Sequence, residues 1–362
     1  MTLFFRLFPL AVFLLLLTGF GPVPAPGDAV IALQPEALPF TPTGFFIESV
    51  QDSRSQRTAF ASLILRSATA VDLDGGTAPA IYRYISRSLK QNRSLRPIVL
   101  RITVGNLTET AGPRGVINGR LNLSMAFDVK REDEQLSLIT YQGNARYQRP
   151  PGQTQVVEKV IRQSLNEGLK YLNNFVNREA GNVPALAGKI TVAFTNITTR
   201  TPVSSDTVFY NPARPLIWDD FRATPPAATR YAAQIMPGIA YEGGSHVANG
   251  TINVRLKLKV FMLKSQSWVK PIGHNDYALS HEQRHFDITR LAIEDFRKRV
   301  HPDSLSLNDY NSNIQYQYIE MYRALSLRQQ QYDAETNHGI NQNAQAQWNS
   351  RIEAELRTFG LR

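Results

Sequence analysis

The sequence predicts an α+β protein built as two units, and three observations carry this. Period-two strands and long amphipathic helices come in blocks rather than in strict alternation. The composition changes across a small-residue stretch at 177–188. All six histidines lie beyond that stretch, between His246 and His338. A chain of 362 residues has room for two ordinary domains. It contains no cysteine, so both must rest on packed cores without disulfides.

Residues 1–29 open with one basic residue, Arg6, then an apolar run from Leu7 to Leu17, then small residues and prolines. This is the pattern of a secretory signal peptide, with cleavage expected after Ala29; the run is short for a membrane span. With no cysteine after it, attachment of a lipid through a thioether is excluded. The expectation is a bacterial protein of the periplasm or secreted beyond it.

Residues 40–178 read as an α+β binding or docking domain. "RPIVLRITV" (96–104) and "GRLNLSMAFDV" (119–129) alternate apolar and polar residues, which marks half-buried strands. "LSLITYQGNARY" (136–147) is a third strand, turned back after "KREDEQ". One helix holds Ile81, Ile85 and Leu89; another, from about Gln155 to Asn177, holds Ile161, Leu165, Leu169, Leu172 and Val176 at helical spacing. Strands bounded by helices suggest an antiparallel sheet covered on one face. "VDLDGG" (71–76) reads as a turn. No histidine and no catalytically spaced acids occur here, and the stretch 177–188 reads as a linker.

The second unit, 187–362, begins with strand-like "KITVAF" (189–194) and "DTVFY" (206–210), followed by "RPLIWDDFRATPP" (214–226). Next is a long alternating strand, "TINVRLKLKVFML" (251–263), and then helices at about 276–300 and 312–336. The formal net charge of +10 favours anionic partners such as lipid headgroups or acidic envelope polymers. The basic residues are scattered, however, and the densest knot, "DFRKRV" (295–300), reads as a solvated helix face. No nucleic-acid-binding signature is present.

The first of these helices carries His281-Glu282-Gln283-Arg284-His285. Residues four apart on a helix lie about 40° from each other around the axis, so both imidazoles project side by side, as two ligands of one ion must. Glu282 falls beside them, where a carboxylate can serve a water as general base. This spacing, after a long alternating strand, points to a zinc hydrolase. The helix's own acids do not supply a third ligand: Asp287 and Glu294 point away, and Asp295 is about 15 Å along the axis. His274 remains open, as do Asp333, Glu335 and His338 in "YDAETNHG". By helical spacing Glu335 continues the inward face of Tyr318, Met321, Leu325 and Tyr332.

Residues 187–360 resemble the domain-of-unknown-function 922 family, bacterial exported proteins regarded as zinc-dependent proteases. "LIWDDF" (216–221), "HEQRHFDIT" (281–289) and "YDAETNHG" with "QAQW" (332–339, 345–348) carry the resemblance, in order. It implies a zincin-like metallopeptidase domain with an edge strand, an active-site helix and a second helix. His281 and His285 would hold Zn²⁺, with Glu282 as general base. It also favours His338 as third ligand, with Glu335 orienting it. The expected substrate is a peptide or protein, paired with strand 251–263, with Tyr332 or His274 as oxyanion donor. A non-catalytic cell-envelope protein with a structural metal is the alternative.

Overall fold

A computed structural model describes residues 30–131, 133–197 and 205–361. The expected signal peptide, 1–29, lies outside them. The chain divides between Leu186 and Ala187 into two compact units.

The first unit contains β1 (Phe45–Asp52), β2 (Ala61–Ile64), β3 (Ala68–Val71), α1 (Thr77–Ser88), β4 (Arg96–Ala111), β5 (Ile117–Arg131), β6 (Glu134–Arg149) and α2 (Gln155–Glu179). The sheet runs β3-β2-β4-β5-β6, with β1 also on β4. β4, β5 and β6 form the expected antiparallel meander. The sheet as a whole is mixed, not antiparallel, because β1 and β2 both lie parallel to β4. β2 and β3 form an antiparallel pair, so β3 runs opposite to β4, and α1 carries the chain from β3 into β4. The "VDLDGG" stretch leads into α1, and Gly75 and Gly76 adopt the positive φ angles, 73° and 91°, that the turn requires.

Along β5 the apolar Leu121, Leu123, Met125 and Phe127 are buried, and so are Ile161, Leu165, Leu169 and Leu172 of α2 in the same core. Within this core lies a fully buried ion pair. Arg149 donates to Glu109 through Nε (2.7 Å) and a terminal nitrogen (2.6 Å), and the Tyr147 hydroxyl and Ile64 N–H add two further donors. The stretch 177–188 is not a loose linker. α2 runs through its first residues, and Pro184–Leu186 forms a single 3-10 turn whose Ala185 and Leu186 are buried.

The second unit contains β7 (Lys189–Asn196), β8 (Thr207–Phe209), β9 (Ala233–Gln234), β10 (Pro237–Ala248), β11 (Thr251–Leu263), β12 (Trp268–Val269), α3 (Asp276–Arg299), α4 (Tyr310–Thr336) and α5 (Gln342–Thr358). The main sheet is ordered β10-β11-β7, with β8 against the end of β11. β10 and β11 form a hairpin through Asn249 and Gly250, whose φ values of 51° and 69° are those a two-residue hairpin turn demands. β11 buries Ile252, Val254, Leu256, Leu258 and Val260, as its alternation predicts. It is a central strand, however, paired with β10 on one edge and with β7 and β8 on the other. Its backbone groups are taken, so the expected pairing of substrate with 251–263 does not hold.

α3 is the core helix of this unit, and its Phe286, Ile288, Leu291, Ile293 and Phe296 share a core with the β10–β11 hairpin. Asn275 caps it, accepting from Ala278 N–H at 3.0 Å. α4 and α5 pack on α3. α5 was not anticipated, although Gln345, Trp348, Ile352 and Leu356 recur at helical spacing behind an Asn341 cap and are all buried. No helix among the described residues is long and apolar enough to cross a membrane.

Candidate metal centre

α3 presents His281 and His285 on one face, one turn apart, and α4 brings Asp333 to them. His281 Nε2 and His285 Nε2 lie 3.3 Å apart. Asp333 Oδ1 is 3.4 Å from the first and 3.0 Å from the second. Among the described residues these three form a group of converging metal-ligand atoms. Three ligands about 2.1 Å from a tetrahedral ion stand about 3.4 Å from one another. The observed triangle is of that size.

The opposite ring nitrogens settle which tautomer each histidine carries. His281 Nδ1 faces Gln345 Oε1 at 2.8 Å, and the Gln345 amide nitrogen donates to Tyr332 Oη and Asn349 Oδ1. His285 Nδ1 faces Gln329 Oε1, and the Gln329 amide nitrogen donates to the His285 carbonyl and Thr289 Oγ1. Both amides are thus oriented by their other partners, and each oxygen accepts from an Nδ1–H. Both Nε2 atoms are left with lone pairs aimed at one point beside a carboxylate. Three electron-pair donors facing each other make a donor set that suits a divalent cation.

The carboxylates respond to this setting. When a proton rather than a cation sits in the triangle, burial pushes Asp333 up, but hydrogen bonds from His281 and His285 outweigh it and hold the acid well below the ordinary carboxylate range. Burial depresses His285, yet Asp333 and Glu282 more than compensate and raise it. Glu282 is raised, chiefly by burial, against the pull of both histidines. Its Oε2 accepts from Ile235 N–H at 2.7 Å, on the chain just after β9. Glu282 therefore stands beside the donor triangle without belonging to it, as its position on the helix predicts.

Asp333, not the expected His338, converges with the two histidines. His338 stands just outside, with Nδ1 3.6 Å from Asp333 Oδ1 and its ring 4.5 Å from that of Tyr231. Glu335 neither ligates nor orients His338. It is exposed and accepts from Trp348 Nε1 at 2.7 Å and from Gln331. Tyr332 is also unsuited to meet an oxyanion. Its ring stacks on His281 at 4.8 Å, and its buried hydroxyl donates to the His281 carbonyl while accepting from Gln345. His274 is exposed and lies against Trp218.

Sequence reasoning missed Gln329 and Gln345. A signal was present: Gln329 precedes Asp333 by four residues and so shares its side of α4. The middle residues of His-Glu-Gln-Arg-His are fasteners. Gln283 accepts from Leu216 N–H and donates to Asp287, and Arg284 reaches Asp287, Asn349 and Glu353. The blocks 216–221, 281–289 and 332–348, distant in sequence, thus meet around one helix. The α4–α5 turn completes the site's wall. Asn337, His338 and Gly339 all have positive φ, and a Cβ at Gly339 would lie 3.3 Å from His281 Nδ1.

No protein-family model matches the chain. No curated protein matches it either. A solved structure from Xanthomonas campestris, of the domain-of-unknown-function 330 family, is similar over 42% of this chain and 98% of its own, at 8% sequence identity and a TM-score of 0.29. A likeness this weak carries no conclusion about either unit.

Proposed function

We propose that the second unit is a zinc-dependent hydrolase of the zincin type, acting on peptides, in a protein exported from a bacterial cell. The observation that carries this reading is the triangle of His281 Nε2, His285 Nε2 and Asp333 Oδ1, with sides of 3.0–3.4 Å and the Glu282 carboxylate beside it. Two imidazoles and one carboxylate form a typical protein ligand set of catalytic zinc, which leaves one position open. A zinc ion held there would supply Lewis acidity to a scissile carbonyl and to a water.

The chain's own residues supply the remainder. Gln329 and Gln345 hold the two imidazoles in the ligating tautomer. Tyr332 fixes the plane of His281 from beneath. Glu282 accepts a proton from the attacking water and delivers it to the leaving amine. Its raised proton affinity suits that transfer better than an ordinary exposed carboxylate, and the Ile235 N–H fixes one of its oxygens. The resemblance of 187–360 to the domain-of-unknown-function 922 family supports the same reading and belongs to the proposal.

The test is metal content and turnover on the same protein. Purified protein should carry about one zinc per chain and cleave members of a broad peptide library. Protein that binds no zinc, even when it is supplied, would sink the reading. Zinc-loaded protein with no turnover on any peptide would favour a structural metal site instead.

A further inference from the structure

The outward face of the first unit's sheet has a composition that its fold does not require. β5 pairs with β6 so that Arg120 stands directly opposite Arg146, and both are exposed. Like charges directly opposed across neighbouring strands are destabilising. No acid offsets them: neither arginine has an ion-pair or hydrogen-bond partner among the described residues. The pairs on either side are amides. Asn118 opposes Gln148 in one direction and Asn122 opposes Asn144 in the other. Gln148 donates to Asn118 at 3.0 Å, which aligns that pair. A depression of about 430 Å³ opens over the two arginines and the Asn118–Gln148 pair.

We propose that this face binds an acidic glycan, with a sugar carboxylate on the arginine pair and neighbouring hydroxyls on the flanking amides. Opposed residues on adjacent strands place their Cβ atoms about 5 Å apart, so two guanidinium groups can close on one carboxylate or on two successive ones. Amide side chains both donate and accept, which matches sugar hydroxyls. A phosphate alone would use the arginines and leave the two amide rows idle. The exposed face of neighbouring strands also suits an extended chain laid across them better than a compact ligand. The charge of the whole protein, +10, works in the same direction at longer range. This inference is independent of the hydrolase reading, because it concerns the other unit.

The experiment is calorimetric titration of the purified protein with galacturonate oligomers in low salt, against Arg120→Gln, Arg146→Gln and the double variant. Circular dichroism and melting temperature confirm that each variant is folded. Binding by the wild type should weaken at least about tenfold with each single change, the loss expected for a charge-assisted hydrogen bond. Carboxyl-reduced oligomers should not bind. Polyglutamate of equal charge should bind more weakly than the glycan, because it lacks hydroxyls for the amides. No binding of galacturonate oligomers, or binding unchanged in the folded double variant, would overturn the proposal. So would equal binding of polyglutamate, which reduces the site to a charge patch. Binding to phosphatidylglycerol vesicles but not to the oligomers would assign the face to a membrane surface and overturn it as well.

Discussion

Glu282 is a buried carboxylate with two imidazoles and a backbone N–H for company, and burial outweighs them in setting its proton affinity. Glu282→Gln keeps the size and the contact with Ile235 but cannot take a proton. Turnover should fall about 10²–10⁴-fold with zinc content unchanged, measured on the same samples. The substitution also has a pH signature in metal-free protein. A carboxyl raised in the folded state contributes most below its unfolded value of about 4.3 and loses that contribution as pH rises through the folded value. Metal-free Glu282→Gln should therefore melt higher than wild type near neutral pH and show no such advantage near pH 4. Asp333 and His338 are distinguished by metal affinity. Asp333→Ala should release the metal, whereas His338→Ala should retain it; the reverse in a zinc-competition assay would restore His338 as the ligand. Gln329→Leu and Gln345→Leu free the imidazole tautomers and should each weaken zinc by about 10–100-fold.

At the scale of elements, what packs against α4 explains why Asp333 rather than Glu335 reaches the two histidines. At about 100° per residue, the stripe of half-buried Tyr318 and buried Met321, Leu325, Tyr332 and Thr336 has Asp333 and Glu335 on opposite flanks, each about 80° from its middle. The helix alone does not choose between them. The choice belongs to its neighbours: α3 with the two histidines lies on the Asp333 flank, and α5 with Trp348 on the Glu335 flank. The turn between α4 and α5 is the second device. Three consecutive left-handed residues are costly for Asn337 and His338, and this cost places His338 beside Asp333 while the bare Gly339 lies over the His281 ring. Gly339→Ala should destabilise the second unit by about 1–2 kcal/mol, read from chemical denaturation, and lower zinc affinity as well. Unchanged affinity would mean that the turn does not position His281.

At the scale of the whole molecule, each unit has its own core, and the candidate metal centre belongs entirely to the second. Its candidate ligands come from two helices, so a bound metal would join α3 to α4. Chelation should lower the melting temperature of the second unit, since a ligand present at about a hundred times its Kd stabilises by about 2.7 kcal/mol. The first unit has a different weak point. Glu109→Ala leaves Arg149 buried without its acid and should cost about 3–5 kcal/mol there. Zinc content should not change. A change in zinc content would show that the two cores are coupled. Cleavage within 177–188 by added protease should be slow, because Ala185, Leu186 and Ala187 are all buried.

The sequence by itself determined the two-unit α+β organisation, the meander of β4–β6, the course of α2, α3 and α4, and the pairing of His281 with His285 beside Glu282. All of these follow from periods of two and 3.6 residues, which local backbone geometry writes directly into the order of side chains. Tertiary structure decided the rest. The direction of β1 and β2, the central place of β11, the choice of Asp333 over His338 and Glu335, and the recruitment of Gln329 and Gln345 depend on which elements become neighbours. A helix periodicity says which side is buried. It does not say what is buried against each flank, and at this site the flank decides which acid faces the two imidazoles.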